Sequence, residues 1–245
     1  MATEDIKSRF NSFTDVTYAA QYKADAAYSL LNSFLDEFVK DGDVIMEVGC
    51  GSTCPATSHL AKTKSVTSYL FEPSAMAESA KVLVSKLPVK GKGIAQDQEG
   101  ERPYYVQRLA AHEIKTAAPP KCDVLVLNRM IHEWRLYELN QHMPFELKDK
   151  VCSIALENLK PGGILIVGDF EYQPGIEGEL LAKEMENLKK RIGHTHPPSE
   201  YVRLADIREA VAFGTGLEEI KCIALSHVEQ DTHRQYWMIA AQKMV

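Results

Sequence analysis

The sequence predicts an α/β protein built on a doubly wound, mostly parallel sheet that ends in an antiparallel β-hairpin. Short apolar runs alternate with helical patterns, a glycine turn follows the first run, and only a polar stretch separates the last two runs. Alternating strands and helices indicate a parallel sheet, because a parallel strand needs a long crossover before it. We expect one domain over residues 1–245, with an N-terminal helical cap at 1–42 and a core at 43–245.

Seven runs predict strands. The parallel ones are VIMEV (44–48), VTSYLF (66–71), YYVQRL (104–109), DVLVLN (123–128) and ILIVGDF (164–170). The first, fourth and fifth of these are apolar on both faces, as central strands of a parallel sheet are. The runs LEEIKCIALSHV and RQYWMIAAQKM are joined only by EQDTH, so we expect them to run antiparallel.

Helical patterns fill the spaces between these runs. They cover residues 57–62, 74–86 and 146–159, and the segments EGELLAKEMENLKKR and LADIREAVAFGTG. The third pattern ends at KPGG, which predicts a glycine-terminated helix and a turn before the fifth strand.

The first forty residues are mostly helical in pattern. An apolar stripe predicts a helix packed against the sheet edge and comprises Leu30, Leu31, Phe34, Leu35 and Phe38. Tyr18 and Tyr22 precede the stripe beside Asp15 and Gln21, so these two tyrosines are candidates to face a ligand.

Composition and charge exclude several classes of partner. The chain is 45% hydrophobic and 25% charged, which is ordinary for a globular protein, and its net charge of −6 disfavours nucleic acid and anionic lipid. The start, MATEDIKSRF, lacks the apolar core of a secretory signal, and no apolar run reaches the length of a membrane span. Five cysteines without a CxxC pair fit reduced thiols. We therefore expect a cytoplasmic protein with no membrane partner.

The stretch VIMEVGCGSTCP, residues 44–55, indicates a ligand site. A strand that runs into GxG makes a tight turn where the backbone can approach a ligand, and the following helix presents amides. The second strand ends in Glu72, 21 residues after Gly51, where an acid can accept both hydroxyl protons of a ribose. Together these features predict a nucleoside ligand.

The residues around the glycines indicate which of two classes of nucleoside cofactor is bound, a dinucleotide or a cationic nucleoside. A dinucleotide motif has a third glycine where this chain has Cys54, and Pro55 removes one amide donor. Glu47 precedes the first glycine, where a carboxylate repels a diphosphate and suits a cationic amine or sulfonium. An NAD oxidoreductase is therefore disfavoured.

From about residue 43 to the C-terminus, the chain resembles the class I S-adenosylmethionine-dependent methyltransferases. The features that carry the resemblance are EVGCGST (47–53), Glu72 after the second strand, the KPGG turn and the closing hairpin. The resemblance implies a Rossmann-like seven-stranded sheet and S-adenosylmethionine as cofactor. It implies these cofactor-binding residues: Glu47 at the methionine amino group, Gly49 and Gly51 through their backbone, Glu72 at the ribose, Pro73 and Ser74 along the adenosine, Ala111 and His112 as candidates near the adenine, and Asn128 at the end of the fourth strand.

The methyl acceptor should be met after the fourth strand, at LNRMIHEW (127–134), because ligands of open parallel sheets lie at the carboxyl ends of strands. This stretch lacks the NPPY or DPPY tetrapeptide of some amine methylases. HEW instead resembles the HDW of small-molecule O-methyltransferases, which implies that His132 is the catalytic base for an acceptor hydroxyl. A cap over the cofactor is the alternative role for His132.

Further residues are candidates to bind the acceptor. They are Tyr18, Tyr22, Arg129, Trp134, Asp169, Tyr172, His194 and His196, with Tyr201 in the same loop as the two histidines. The histidine pair has no second cluster nearby, so we expect no metal. Oligomeric state and the identity of the acceptor stay open. The alternatives to a small-molecule O-methyltransferase are N-methylation of a small molecule, peptide or protein, and a cofactor-binding regulatory protein without catalysis.

Overall fold

The computed structural model describes residues 26–89, 103–140, 146, 148–173, 175–192, 198–213, 216–226 and 233–245. Its strands form one seven-stranded sheet in the order β3-β2-β1-β4-β5-β7-β6. The strands are β1 Val44–Val48, β2 Thr67–Phe71, β3 Tyr104–Gln107, β4 Cys122–Asn128, β5 Leu159–Tyr172, β6 Leu217–Ser226 and β7 Arg234–Lys243.

The pairing of the strands confirms the predicted sheet. β1 to β5 pair in parallel with one another, whereas β7 runs antiparallel to both β5 and β6. The strand order reverses between β1 and β4, so the carboxyl ends of these two strands flank the crevice where open α/β sheets bind ligands.

The described segments contain α-helices between and before the strands. They are α1 Ala26–Phe38, α2 Pro55–Thr63, α3 Met76–Val84, α4 Ile131–Asn140, α5 Ser153–Asn158, α6 Gly178–Ile192 and α7 Leu204–Ala212. A 3₁₀ segment, Ala111–Ala117, follows β3, and a π-helical turn, Lys148–Cys152, precedes α5.

The KPGG segment differs from its prediction, because its residues lie inside β5. Leu159 pairs with Cys122, and regular pairing resumes where Ile164 faces Val124, so residues 160–163 form a bulge within the strand. A Cβ on Gly163 would lie 3.0 Å from the carbonyl oxygen of Asp123. Gly163 is thus needed where two strands approach closely, and the turn expected before the fifth strand is wrong.

Helix α1 packs on the face of the sheet and not on its edge, which corrects the prediction. Its buried side chains share an apolar cluster with Ile45 of β1, Val126 of β4 and Met238 of β7. The opposite face of the sheet packs against α5 and α7. The strands predicted to be apolar on both faces are therefore confirmed as central.

Among the described residues, no helix is both long and apolar enough to cross a lipid bilayer. The division into a cap at 1–42 and a core at 43–245 stays a prediction.

Candidate functional site

Glu47 at the end of β1 binds the first turn of α2. Its Oε1 accepts the N–H of Ala56 at 3.0 Å, and its Oε2 accepts the N–H and the hydroxyl of Thr57 at 3.0 and 2.8 Å. The helix needs this external partner, because the side chain of Cys54 at its N-cap makes no capping hydrogen bond and Pro55 has no N–H. Burial raises the pKa of Glu47, although these three hydrogen bonds act to lower it.

This arrangement removes the site that a dinucleotide would use. In a dinucleotide fold, the amides at the start of the helix after β1 hold the diphosphate. Here two of those amides donate to a carboxylate of the same chain. Glu47 therefore takes the place of an anionic ligand, which agrees with the repulsion of a diphosphate expected from its charge.

Glu72, directly after β2, lies against the glycine turn. Its Oε2 accepts the N–H of Gly51 at 2.9 Å, and its Oε1 accepts the N–H and the hydroxyl of Ser74 at 3.0 and 2.6 Å. Burial raises the pKa of Glu72, while these hydrogen bonds and the charge of Arg108 act to lower it. Pro73 lies beside them, and its carbonyl oxygen accepts from Arg108 at 3.4 Å.

Gly49 has φ of +69°, a conformation that favours glycine. A Cβ placed on it would lie 2.6 Å from the Cβ of Met130, which follows β4. The absence of a side chain at Gly49 therefore lets the turn after β1 meet the segment after β4. The sequence predicts ligand approach at this glycine but does not reveal its contact with Met130.

The turn also contains a buried hydroxyl that fits a polar ligand. Ser52 is 8% exposed, and its Oγ has no hydrogen-bond partner among the described residues. A buried hydroxyl without a partner costs about 1–3 kcal/mol, so a ligand that bonds it would be stabilised. With two buried carboxylates beside it, this turn suits a cationic, hydroxyl-bearing cofactor such as S-adenosylmethionine.

His132 and Asp169 meet at the carboxyl ends of β4 and β5. The ring Nδ1 of His132 lies 2.7 Å from Oδ1 of Asp169, and the backbone N–H of His132 donates to Oδ2 at 3.0 Å. A carboxylate only accepts, so Nδ1 carries the proton. On the other side of the ring, Nε2 lies 3.7 Å from Oε1 of Glu133.

The pKa of His132 is raised from its usual value of 6.5. Burial is the largest influence and lowers the pKa, as does the charge of Arg129; the carboxylates of Asp169 and Glu133 more than offset both. The imidazole is therefore poised to hold a proton, which is what a base needs after it has taken one.

Aromatic side chains surround this histidine. The ring of Tyr201 lies 5.3 Å from the ring of His132, and Tyr172 meets Tyr201 edge-on at 5.4 Å. The hydroxyl of Tyr201 accepts from Nη1 of Arg234 at 3.1 Å. Burial raises the pKa of this hydroxyl, which keeps Tyr201 protonated. The imidazole of His132 therefore lies against an aromatic cluster.

The last residue of β4 and the residue after it take different roles. Asn128 is buried, and its Oδ1 accepts from the hydroxyl of Tyr236 in β7. Arg129 adopts φ of +57° and places its guanidinium over the rings of Phe170 and Tyr28. Of the two, Arg129 is the one that the structure brings to the histidine cluster.

Ala111, His112 and Trp134 line a different cavity, of about 140 Å³, together with residues of α5 such as Ser153 and Ile154. Trp134 also belongs to the apolar core on that face of the sheet. The structure thus groups Trp134 with the two candidate adenine neighbours, whereas the histidine cluster is built by other side chains. Tyr18, Tyr22, His194 and His196 lie outside the described residues.

Sequence reasoning does not single out several residues of this site. They are Ser52, Thr57, Met130, Glu133, Phe170 and Arg234. Thr57 is detectable as the third residue of a helix whose N-cap has no capping side chain. Met130, Phe170 and Arg234 gain their places from the order of the strands, which no local pattern reveals.

Comparisons with known proteins bear on the fold. No family model matches the sequence, and no curated protein matches it significantly. Among solved structures, a cyclopropane synthase from Mycobacterium tuberculosis has a TM-score of 0.68 at 12% identity, covering 98% of each chain. A geranyl diphosphate C-methyltransferase from Streptomyces coelicolor, crystallised with S-adenosyl-L-homocysteine, has a TM-score of 0.61 at 15% identity, covering 99% of this chain and 98% of that chain.

A SAM-dependent methyltransferase from Aquifex aeolicus, with a TM-score of 0.57 at 15% identity, covers 99% of this chain and 98% of its own. Identities this low establish the fold alone. The chain therefore has the Rossmann-like fold of the S-adenosylmethionine-dependent methyltransferases.

Proposed function

We propose that this chain is an S-adenosylmethionine-dependent methyltransferase that methylates a small molecule at a hydroxyl oxygen. The observation that carries the proposal is the buried pair of His132 and Asp169, which lies at the carboxyl ends of β4 and β5 beside the ligand crevice. The same proposal includes a cytoplasmic location and a single catalytic domain.

The glycine turn supports the choice of cofactor. Glu72, which lies against the glycine turn, would accept the hydroxyls of the ribose, and Ser52 offers a buried hydroxyl without a partner among the described residues. Glu47 occupies the helix amides that a diphosphate requires. These residues would hold S-adenosylmethionine, which supplies a methyl group on a cationic sulfur.

His132 would act as the general base. A neutral hydroxyl attacks a methyl sulfonium poorly, so its proton must leave as the carbon–oxygen bond forms. Nε2 of His132 would take that proton, while Asp169 keeps the proton of Nδ1 in place and stabilises the imidazolium. Holding the two reactants in line contributes about 7 to 11 kcal/mol at best, and the base adds roughly 10²–10⁴-fold.

The test combines binding and turnover. Calorimetry with S-adenosylhomocysteine measures cofactor binding, and methyl-labelled S-adenosylmethionine is then incubated with matched panels of phenols, alcohols and amines. We expect methyl ethers as products, and we expect His132→Gln to lose turnover while keeping cofactor affinity. His59→Gln is the matched control, because His59 also pairs with an aspartate, Asp36, but on the exposed surface between α1 and α2.

Each part of the proposal has its own contrary result. Absence of S-adenosylhomocysteine binding would contradict the cofactor. Methylated amines without ethers would contradict the oxygen acceptor, and undiminished ether formation by His132→Gln would leave this residue as a cap and not a base.

A further inference from the structure

The ring of Tyr201 lies against the ring of His132. The two ring centres are 5.3 Å apart and the ring planes are tilted by 31°, a separation at which aromatic rings attract each other. Tyr201 begins the connecting segment, residues 201–203, between a 3₁₀ turn at Pro198–Glu200 and α7, yet it is only 4% exposed. A buried ring on a connecting segment needs further contacts to keep it in place.

Three contacts fix Tyr201 at both its backbone and its side chain. Nη1 of Arg135 donates to its carbonyl oxygen at 2.9 Å, and Nη1 of Arg234 donates to its hydroxyl at 3.1 Å. The ring of Tyr172 meets the Tyr201 ring edge-on at 5.4 Å. Arg135 belongs to α4, Arg234 to β7 and Tyr172 to β5, so Tyr201 is held from three separate elements.

The connecting segment is also bound to the sheet by the residues that follow Tyr201. The indole N–H of Trp237 donates to the carbonyl oxygen of Val202 at 3.3 Å, and Glu171 accepts the N–H of Leu204, the first residue of α7, at 3.0 Å. Trp237 and Glu171 lie in β7 and β5, which pair with each other. The connecting segment is therefore fixed to β5, the strand that also carries the acid bonded to His132.

Arg135 and His132 lie in the same helix. They are three residues apart in α4, a spacing that places two side chains on neighbouring positions of a helix surface. Arg135 joins α4 to the backbone of Tyr201, and the ring of Tyr201 returns to His132 on that helix. The imidazole and the ring that packs on it are thus fixed to one element.

The imidazole of His132 is thereby held by two different kinds of contact. Asp169 bonds Nδ1 and the backbone N–H, and Tyr201 packs against the ring. A hydrogen bond at Nδ1 alone lets an imidazole swing about that bond, whereas packing against an aromatic ring limits the swing. A base needs this restraint, because its Nε2 must stay within hydrogen-bond reach of the proton that it takes.

We infer that Tyr201 is a positioning residue for His132, and that Arg135 acts through Tyr201 to keep the imidazole in its productive orientation. The inference rests on the proposed function, because the oriented group is the proposed base. It gives Tyr201, a candidate acceptor contact by sequence, a role in supporting the base instead.

The first test needs no methyl acceptor. NMR of the imidazole measures how fast the Nδ1 proton of His132 exchanges with water, which reports how firmly the ring stays bonded to Asp169. Tyr201→Leu removes the aromatic ring and should speed this exchange by up to about tenfold, the scale of one aromatic contact. Tyr201→Phe keeps the ring and should leave the exchange rate near that of the unmodified protein.

The second test measures turnover with an acceptor identified in the panel of phenols, alcohols and amines. Tyr201→Leu should lower kcat by about tenfold and change KM by less than about twofold, because a misplaced base affects proton transfer and not acceptor binding. Tyr201→Phe should keep most of kcat. Arg135→Gln should lower kcat less than Tyr201→Leu does, and Arg135→Lys, which can still donate to the carbonyl oxygen of Tyr201, should restore part of the loss.

The chain offers a matched control for each substitution. Tyr105→Leu also removes a stacked tyrosine, because Tyr105 lies 5.0 Å from the ring of Tyr69, but it is 41% exposed and lies in β3 at the edge of the sheet. Arg208→Gln removes an exposed arginine that pairs with Glu219. Neither control should change the exchange rate or kcat, and thermal unfolding of every variant shows that it folds.

Three results would overturn the inference: unchanged exchange of the Nδ1 proton in Tyr201→Leu, equal losses in Tyr201→Phe and Tyr201→Leu, or a loss that falls on KM alone, which would make Tyr201 an acceptor contact. Faster exchange in Tyr201→Leu with undiminished turnover has a different meaning. It would support the positioning of the ring by Tyr201 and contradict the proposed role of His132 as the base.

Discussion

Nδ1 of His132 lies 2.7 Å from Oδ1 of Asp169, and the backbone N–H of His132 donates to the other oxygen of that carboxylate. The buried carboxylate of Asp169 thus fixes both the ring and the backbone of His132. The relationship makes Asp169 a positioning residue for His132.

This pairing predicts the pH dependence of His132. Its pKa is raised above 6.5, and a base acts when deprotonated, so kcat/KM should rise with pH through that raised pKa. Asp169→Asn removes a charge that raises the pKa, so the rise should move to lower pH, and its plateau should fall because the tautomer is held less firmly. NMR titration of the imidazole, assigned with His132→Gln, measures the shift directly; an unchanged pKa in Asp169→Asn would contradict the coupling.

Glu72 predicts how cofactor affinity depends on pH. The ionised carboxylate is the form that accepts hydroxyl protons, and burial raises its pKa above 4.5. Affinity for S-adenosylhomocysteine should therefore fall as pH drops through that raised pKa. Glu72→Gln should bind weakly at every pH, as calorimetry would show.

Glu78→Gln is the control for Glu72, because Glu78 is exposed and pairs with Lys81 on the surface of α3. Full affinity of Glu72→Gln at neutral pH would remove Glu72 from the ribose site.

Glu47 predicts both stability and cofactor choice. Glu47→Ala leaves two buried amides of α2 without their acceptor, at a cost of about 1–3 kcal/mol for each, whereas Thr57→Val removes only one hydrogen bond, worth about 1 kcal/mol. Urea unfolding should show this order. Because the amides are already bonded, NAD should not bind the unmodified protein, and measurable NAD affinity by calorimetry would contradict the assignment.

The close approach of Gly49 to Met130 predicts that a side chain at position 49 would clash with the segment after β4. Gly49→Ala should destabilise the protein and weaken S-adenosylhomocysteine binding, because its Cβ would lie 2.6 Å from the Cβ of Met130. Adding Met130→Ala keeps the clashing Cβ and should not rescue, whereas Met130→Gly should rescue in part, since the strain of φ at +69° remains. Thermal unfolding of the unmodified protein and these variants measures this, and full rescue by Met130→Ala would show that the Cβ–Cβ contact is not the cause of the destabilisation.

The strands and the ligand turn are predictable from local patterns. Short apolar runs, the glycine pair after VIMEV and the acid after the second strand are all local features, so the amino-acid sequence alone identifies Glu47 and Glu72 as candidates. The antiparallel hairpin follows from a connection too short for a crossover.

Contacts between segments are not predictable in this way. Residues 160–163 resemble the end of a helix in sequence, but their position between β4 and β5 makes them a bulge. The stripe of α1 predicts a buried helix without saying which surface buries it, and the structure selects the face of β1, β4 and β7.

The site around His132 shows most clearly what the sequence determines and what only the tertiary structure decides. The chain carries His132, Arg129 and Asp169 as separate candidates, and Asp169 stands 37 residues from His132. Strand order alone brings β4 beside β5, and it is this adjacency that turns a histidine and an acid into a hydrogen-bonded pair and aims Arg129 at Phe170. Periodicity and turn chemistry act over a few residues and so specify elements, whereas the pairing of elements is decided by the packing of the whole sheet.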